Sequence, residues 1–187
     1  TNGAAGDVGP VRVAGSEHVC RCGKTGCLEA VAGGWALVRD ARAAIAQGAK
    51  GALADILASG DDLTPERVAL AAERGDPLAI GLVQAAARPI GEALAGLVNM
   101  FNPGVIVVGG AVASVGELFL AEVRHRVYEL SLPLATRDLV IRTSENDTRE
   151  PLRGGVDLAR EQLFEVSLPR WFSEGRPTVA AVHGAAG

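Results

Sequence analysis

The sequence predicts an α/β fold, and three observations support this prediction. The run VIVVGG at 105–110 consists of four β-branched residues followed by two glycines, which is typical of a strand buried on both faces of a parallel sheet. The run LVIRTS at 139–144 predicts a second strand. Segments with helical apolar spacing precede, separate and follow the two runs, so we expect helix, strand, helix, strand, helix with a right-handed crossover.

The first predicted helix runs from Cys27 to about Gln47. Its apolar spacing and its content of Ala, Leu and Arg favour a helix. Gly33 and Gly34 form a weak point near its start, and Gly48 is expected to end it.

Two further helices are predicted from capping residues that stand before a proline. Thr64 precedes Pro65, and Asp76 precedes Pro77, so each pair places a side-chain acceptor at the N-cap and a proline at the first helical position. The second of these helices is long, and Pro89 within it should kink or divide it because proline has no amide donor.

The C-terminal part continues the alternation. We expect a helix over 116–131, the second strand, and a last helix from 151 to about 165. Residues 1–174 are therefore predicted to form the folded domain, and 175–187, rich in Pro, Gly and Ala, a flexible tail.

Composition restricts the classes of function. With 48% apolar residues, 21% charged residues and 24 glycines, the chain resembles a packed globule, and a net charge of -4 does not favour nucleic-acid binding. No apolar run is long enough for a bilayer, and the opening TNGAAGDVGP is unlike a signal peptide, so we expect a cytoplasmic protein with no membrane partner. The opening also lacks Met and looks like the middle of a loop, which suggests a fragment of a longer protein.

All three cysteines of the chain lie in one short loop, CRCGKTGC at 20–27. In a reducing compartment, clustered thiols favour a metal site over disulfides, and Zn²⁺ prefers four N or S donors. Cys20, Cys22 and Cys27 supply three donors, and His18 is the nearest imidazole, although this compressed spacing strains a tetrahedral shell. The alternatives are three unligated thiols and, with less support because no Cys-x-x-Cys pair is present, redox catalysis.

Three segments in order, GAAGDVGPVRV, CRCGKTGCLEAVAGG and NMFNPGVIVVGGAVASVGE, resemble the C-terminal half of the ROK family. The resemblance extends from Gly3 to about Phe164. It implies the C-terminal lobe of an actin-like ATPase (ribonuclease H-like) fold with a structural zinc loop. ROK proteins include sugar kinases and sugar-responsive transcriptional repressors, so a small sugar or sugar derivative is the implied ligand.

The resemblance also implies a ligand set for zinc, with one departure. The three cysteines match the thiolate ligands, and the family's fourth ligand, a His in a Gly-Glu-x-Gly-His segment, falls on Pro10. Proline cannot bind zinc. Either His18 takes its place, or water or another chain supplies the donor, or zinc is weak or absent.

Two acidic residues match the family's sugar-contacting carboxylates. The Glu of the Gly-Glu-x-Gly-His segment falls on Asp7, which is one methylene shorter, and Glu29 matches a second sugar-binding carboxylate. Carboxylates accept hydrogen bonds from adjacent hydroxyls in a fixed array. Without the resemblance, Glu29 would be interpreted as a first-turn acid favoured by the helix dipole.

The glycine pair after the first predicted strand is a second candidate site. Gly109 and Gly110 lie where α/β folds bind ligands, and the resemblance places the equivalent segment of ROK kinases against the adenosine of ATP. ATP and Mg²⁺ are implied only if the protein is a kinase. The alternative is a tight strand-to-helix turn.

The kinase segments of the family are not recognised in this chain. No Asp-x-Gly-Gly-Thr string occurs, and we expect the family's Asn-Asp pair, whose Asp deprotonates the sugar hydroxyl, to be missing from it. We therefore expect no catalytic residues in the chain, and no sugar phosphorylation by it alone. There is also no basic recognition helix, so DNA would be bound only through an N-terminal domain outside this chain.

Two classes of function remain, and we favour the first. One is the sugar-sensing, oligomerising domain of a ROK-type transcriptional regulator, and the other is the C-terminal lobe of an ATP-dependent, glucokinase-like ROK sugar kinase. Changes at Asp7 and Pro10 are tolerated better by a sensor than by a catalyst, and YELSLPLATRDLVI at 128–141 resembles the regulator branch. The long apolar helix from Pro77 favours a homo-oligomer, a dimer or tetramer. An isolated zinc-stabilised assembly module has the least support.

Overall fold

The computed structural model describes residues 6–109, 116–144 and 150–175. The chain divides into two compact units: the first is Asp7–Glu145, and the second combines Thr1–Gly6 with Asn146–Gly187. The predicted tail lies outside the described residues from 176 onward. Among the described residues, no helix combines the length and the apolar character that a membrane crossing requires.

The larger unit alternates helices and strands, which confirms the α/β prediction. Its elements are α1 (Leu28–Ala32), α2 (Gly34–Ala46), α3 (Ala52–Ala58), α4 (Pro65–Glu73), α5 (Pro77–Phe101), β1 (Val105–Val108), α6 (Glu117–Leu130), α7 (Pro133–Thr136) and β2 (Val140–Thr143). The sequence did not predict the two short helices α3 and α7.

The two strands pair in parallel, as predicted, with Val105 opposite Val140 and Val108 opposite Thr143. The prediction that β1 is buried on both faces was wrong for the described part of the chain. Val105 is 54% exposed and Val107 is 50% exposed, whereas Ile106 packs against the core. A two-stranded sheet whose β2 packs against α6 on one side gives the alternating burial of a half-covered strand.

The long helix α5 forms the centre of the core. It packs against α1, α2, α4 and, most extensively, α6. Pro89 does not divide it, because the buried contacts around this position outweigh the missing amide. Gly91 permits the close approach of α6, since a Cβ at this position would lie 2.7 Å from the Cβ of Arg126.

Both predicted N-caps are confirmed, and one of them has a second role. Thr64 accepts a hydrogen bond from the amide of Arg67. Asp76 is 8% exposed and accepts from the amide of Ala79 at 2.9 Å and, with its other oxygen, from the amide of Ala52 at 2.8 Å. This one carboxylate therefore caps α5 and joins it to the first turn of α3.

The first predicted helix is in fact two helices, which meet at Gly33. This glycine has φ -68° and ψ 159°, an extended conformation that ends α1 and begins α2. In the second unit, α8 (Glu150–Glu161), a π-helical segment (Gln162–Ser167) and α9 (Leu168–Glu174) follow one another, so the helical region extends beyond the predicted end at 165.

Candidate functional site

The cysteine loop is a compact turn held by its own backbone. The amide of Cys20 donates to the carbonyl of Lys24 at 2.7 Å, and the amide of Gly23 donates to the carbonyl of Cys20 at 3.0 Å. Gly23 and Gly26 have φ values of 85° and 73°, which side-chain-bearing residues rarely adopt. Gly26 also has no room for a Cβ, which would lie 2.7 Å from the carbonyl oxygen of Ser16. The glycines thus let the loop fold tightly on itself.

This fold brings the three sulfur atoms together, as the metal-site hypothesis requires. The Sγ atoms of Cys20, Cys22 and Cys27 all lie within 4.8 Å of one another, and those of Cys22 and Cys27 are 3.6 Å apart. Two sulfurs that share a tetrahedral zinc at about 2.3 Å are about 3.8 Å apart. The arrangement fits a thiolate-bound zinc ion, with Cys20 and Cys27 buried and Cys22 exposed.

The three thiols are not equivalent. Burial raises the pKa of the Cys27 thiol to about 11, and its neighbours Cys22 and Cys20 contribute to this increase. A hydrogen bond from the backbone of Lys24 is the main cause that lowers the pKa of Cys22, and the other two cysteines contribute further. In the protein without metal, Cys22 therefore ionises more readily than Cys27.

The cysteine cluster does not include His18. The side chains that come together as a candidate metal group among the described residues are the three cysteines alone. The imidazole of His18 is exposed, and its backbone carbonyl accepts from the amide of Gly26 at 2.8 Å. Pro10 is exposed as well. The fourth donor thus has no assigned residue in this arrangement, and His18 as a ligand stays a prediction.

The two candidate sugar-binding residues, Asp7 and Glu29, both lie next to Gly9. Asp7 accepts a hydrogen bond from the amide of Gly9 at 2.9 Å, and the carbonyl of Gly9 accepts from the amide of Glu29 at 3.1 Å. A Cβ on Gly9 would lie 3.1 Å from Oδ1 of Asp7 and 3.5 Å from Cβ of Glu29. Both acidic side chains are exposed. The segment that begins at Asp7 is thereby fixed to the first turn of α1, with both carboxylates open to solvent.

Trp35 is a residue of this site that the sequence analysis missed. Its indole Nε1 donates to Oε1 of Glu29 at 3.0 Å. Residues six apart lie on different sides of a continuous helix, about 120° around its axis. The break at Gly33 brings the two side chains together. The prediction of one uninterrupted helix therefore hid this contact.

The glycine pair after β1 is only partly described. Gly109 follows the last residue of β1 and is exposed, whereas Gly110 lies outside the described residues. The proposed adenosine contact of this pair stays a prediction.

An Asn-Asp dipeptide does occur in the chain, which corrects the expectation that it has none. It is Asn146-Asp147, and it lies outside the described residues. The presence of this dipeptide does not by itself identify a catalytic base.

Comparisons with known proteins confirm the resemblance. Residues 1–162 match the ROK family. The chain is 31% identical over 169 residues to the xylose repressor of Caldicellulosiruptor bescii, covering 90% of the chain and 42% of that protein. It is 32% identical over 162 residues to a glucokinase of Halalkalibacterium halodurans, covering 86% of the chain and 49% of that protein.

A solved structure gives the same result for the fold. The ROK family glucokinase of Streptomyces griseus in complex with glucose and AMPPNP is 30% identical, with a TM-score of 0.72, over 84% of this chain and 52% of that chain. The chain thus spans less than half the length of the two curated relatives named above, a repressor and a kinase. With most of its length matched to one family and its fold shared with a solved member, this chain belongs to the ROK family.

Proposed function

We propose that the chain is the sugar-sensing, oligomerising domain of a ROK-type transcriptional regulator. The observation that carries the proposal is the meeting of Asp7 and Glu29 at Gly9. Two exposed acidic residues whose backbones are held at one glycine can accept hydrogen bonds from neighbouring hydroxyls, which is the pattern that a sugar presents. The glucose-bound glucokinase of Streptomyces griseus, whose fold this chain shares, supports a sugar as the ligand.

The three cysteines are proposed to hold a structural zinc ion. The sulfur distances support this, because little movement is needed for all three to reach one ion. Zinc bound here would cross-link the loop that leads into α1, and so would fix the backbone at Glu29. The metal would have a structural role, and we propose no catalytic role for it.

The preference for a regulator over a kinase rests on two residues, in addition to the resemblance of residues 128–141 to the regulator branch. Pro10 replaces the histidine that the family uses for zinc beside the sugar, and Asp7 is shorter than the family's glutamate. A kinase must hold one hydroxyl in line with a phosphate, and a displacement of about 1 Å costs on the order of 100-fold in rate. A sensor only needs the sugar to bind more tightly to one conformation than to the other.

In the complete regulator, sugar binding would shift the closure of two lobes. Within a homo-oligomer, this shift would change the spacing of N-terminal DNA-binding domains. The affinity for DNA would then change by the ratio of the sugar affinities of the two conformations, which differ in how far the lobes are closed. Asp7 and Glu29 are the residues of this chain that would connect the sugar to this change.

The second candidate is the C-terminal lobe of an ATP-dependent sugar kinase. The observation that favours it is the 32% identity to the glucokinase of Halalkalibacterium halodurans, similar to the 31% identity to the xylose repressor. In that case Gly109 and Gly110 would lie against the adenosine of ATP, with Mg²⁺ at the phosphates, and the catalytic base would come from the other lobe.

The full-length protein distinguishes the two candidates. It is assayed for ATP-dependent phosphorylation of D-glucose, D-xylose and N-acetyl-D-glucosamine, and for binding to DNA from its own upstream region with and without each sugar. A regulator should bind the DNA, change its DNA affinity when one sugar is added, and phosphorylate none of them. Turnover of a sugar with ATP, without DNA binding, would support the kinase and overturn the proposal.

A further inference from the structure

The contact between Trp35 and Glu29 links two helices at the candidate sugar site. The indole N–H donates to Oε1 of Glu29 at 3.0 Å. A glutamate on an exposed helix surface normally samples several rotamers, and fixing such a side chain costs conformational entropy. A donor that already holds the carboxylate reduces this cost before any ligand arrives.

Packing fixes the position of the indole. Trp35 lies against a small buried cluster formed by Cys20, Cys27 and Ala30, which is separate from the main core. Two of these three residues are candidate zinc ligands. The indole therefore packs against residues of the cysteine loop and at the same time donates to the carboxylate of Glu29.

Two arginines also contact the indole ring of Trp35. The guanidinium carbons of Arg21 and Arg39 lie 4.9 and 5.3 Å from the ring centre of Trp35, within the range of cation–π attraction. Arg39 is itself fixed, because it donates to the carbonyl of Ala30 at 2.9 Å and pairs with Asp40 through two hydrogen bonds. Trp35 is thus restrained by apolar packing and by two cations.

The glycine at the helix junction provides the space for this arrangement. A Cβ at Gly33 would lie 2.6 Å from Oε1 and 2.8 Å from Cδ of Glu29. The carboxylate therefore leans back over Gly33 toward the indole. Any side chain at this position would displace the glutamate from its donor.

We propose that Trp35 is a positioning residue that fixes the Glu29 carboxylate for ligand binding. By holding Oε1, the indole presents the second oxygen, Oε2, to a ligand hydroxyl in one orientation. This inference rests on the proposed role of Glu29 in sugar binding. It adds a residue that does not contact the ligand and acts only through the carboxylate.

The first test is the Trp35→Phe variant of the full-length protein, which keeps an aromatic ring but removes the donor. Calorimetric titrations with D-glucose, D-xylose and N-acetyl-D-glucosamine should show affinity for the bound sugar about 3- to 10-fold weaker than in the wild type. The matched control is Trp171→Phe, since Trp171 is the other tryptophan of the chain and lies in α9. The control should bind as the wild type does.

The Glu29→Gln variant and the double variant separate this proposal from the proposed function. Residues that act as a unit are non-additive, so the double variant should bind no more weakly than about the worse single variant. If Glu29→Gln weakens binding and Trp35→Phe does not, the positioning role is overturned and the proposed function stands. If Glu29→Gln leaves binding unchanged, or if the wild type binds none of the three sugars, the proposed function fails.

A second measurement needs no ligand and no stable Trp35 variant. In ¹⁵N-labelled protein, the indole N–H resonance of Trp35 is assigned by its persistence in Trp171→Phe. Glu29→Gln replaces a charged acceptor with a neutral one, so this resonance should move upfield. A resonance unchanged by Glu29→Gln means that the indole does not hold the carboxylate, and it would overturn the proposal independently of sugar binding.

Discussion

Replacing Cys22 with serine is the sharpest test of whether the cysteine loop holds zinc. Cys22 is exposed, whereas Cys20 and Cys27 are only 7% and 2% exposed. Serine at an exposed position should change the stability of the metal-free protein by no more than about 0.5 kcal/mol. The same change at a buried cysteine would confuse lost packing with lost metal. Any larger effect of Cys22→Ser is therefore assigned to the metal.

The expected magnitude follows from the sulfur geometry. The Sγ atoms of Cys22 and Cys27 are already 3.6 Å apart, so binding requires little rearrangement. At a free zinc concentration about 100 times the dissociation constant, binding to the folded state alone adds about 2.7 kcal/mol to the free energy of unfolding. Cys22→Ser removes one of three thiolates and should abolish most of this increment. The purified wild type should contain about one zinc per chain.

The assay combines metal analysis with denaturant unfolding, each with and without a chelator. The chelator should lower the stability of the wild type to that of Cys22→Ser and leave the variant unchanged. The chelated wild type is the matched control, because it keeps all three thiols. Zinc far below one per chain in the wild type, with three freely titratable thiols, would refute the reasoning and support three unligated cysteines.

Three further predictions concern stability and assembly. Asp76→Ala should lower the free energy of unfolding by roughly 2–4 kcal/mol, because it leaves the amides of Ala52 and Ala79 without their acceptor. Asp76→Asn should lower it by less, and equal losses in the two variants would contradict the double cap. Gly33→Ala should cost about 1–3 kcal/mol in thermal unfolding, since its Cβ would lie 2.5 Å from the carbonyl oxygen of Glu29, and an unchanged midpoint would contradict this contact. Light scattering at micromolar concentration should give a homodimer, and a monomeric mass would contradict the predicted assembly.

The sequence predicted the fold well where local signals were strong. The N-caps Thr64 and Asp76 and both strands lie where their residues indicated. Pro89 did not divide its helix, because tertiary packing outweighed the missing amide. The double role of Asp76 could not be predicted, since its second partner is 24 residues away and depends on how α3 packs.

Part of the apolar surface of α5 is buried within its own unit. Several of its apolar residues, among them Val83 and Val98, are buried in the core of the same unit. The large apolar side chains that stay exposed at its end are Met100 and Phe101, at 76% and 69%. Other large apolar side chains of α5, among them Leu82, Ile90 and Leu94, are only half-buried, and homodimerisation stays a prediction.

For the candidate site, the sequence predicted which residues take part better than it predicted the contacts between them. The three cysteines come together because they lie within one glycine turn, which is a local property. The contact between Trp35 and Glu29 depends on the break at Gly33, and the sequence indicated that break only as a weak point. The position of the indole also depends on its packing against the cysteine loop, which no helical periodicity indicates.

The central claim is that Glu29 accepts a hydrogen bond from a sugar hydroxyl, and calorimetry on the full-length protein tests it most directly. Glu29→Gln keeps the shape of the side chain and removes its charge, and Asp62→Asn, on an exposed aspartate that pairs with Arg42, is the matched control. The account predicts that Glu29→Gln weakens binding of the sugar by about 1–3 kcal/mol while the control binds normally. Equal sugar affinity in the wild type and in Glu29→Gln would contradict it, and would leave Glu29 as a first-turn acid of α1 that is favoured by the helix dipole and accepts from Trp35.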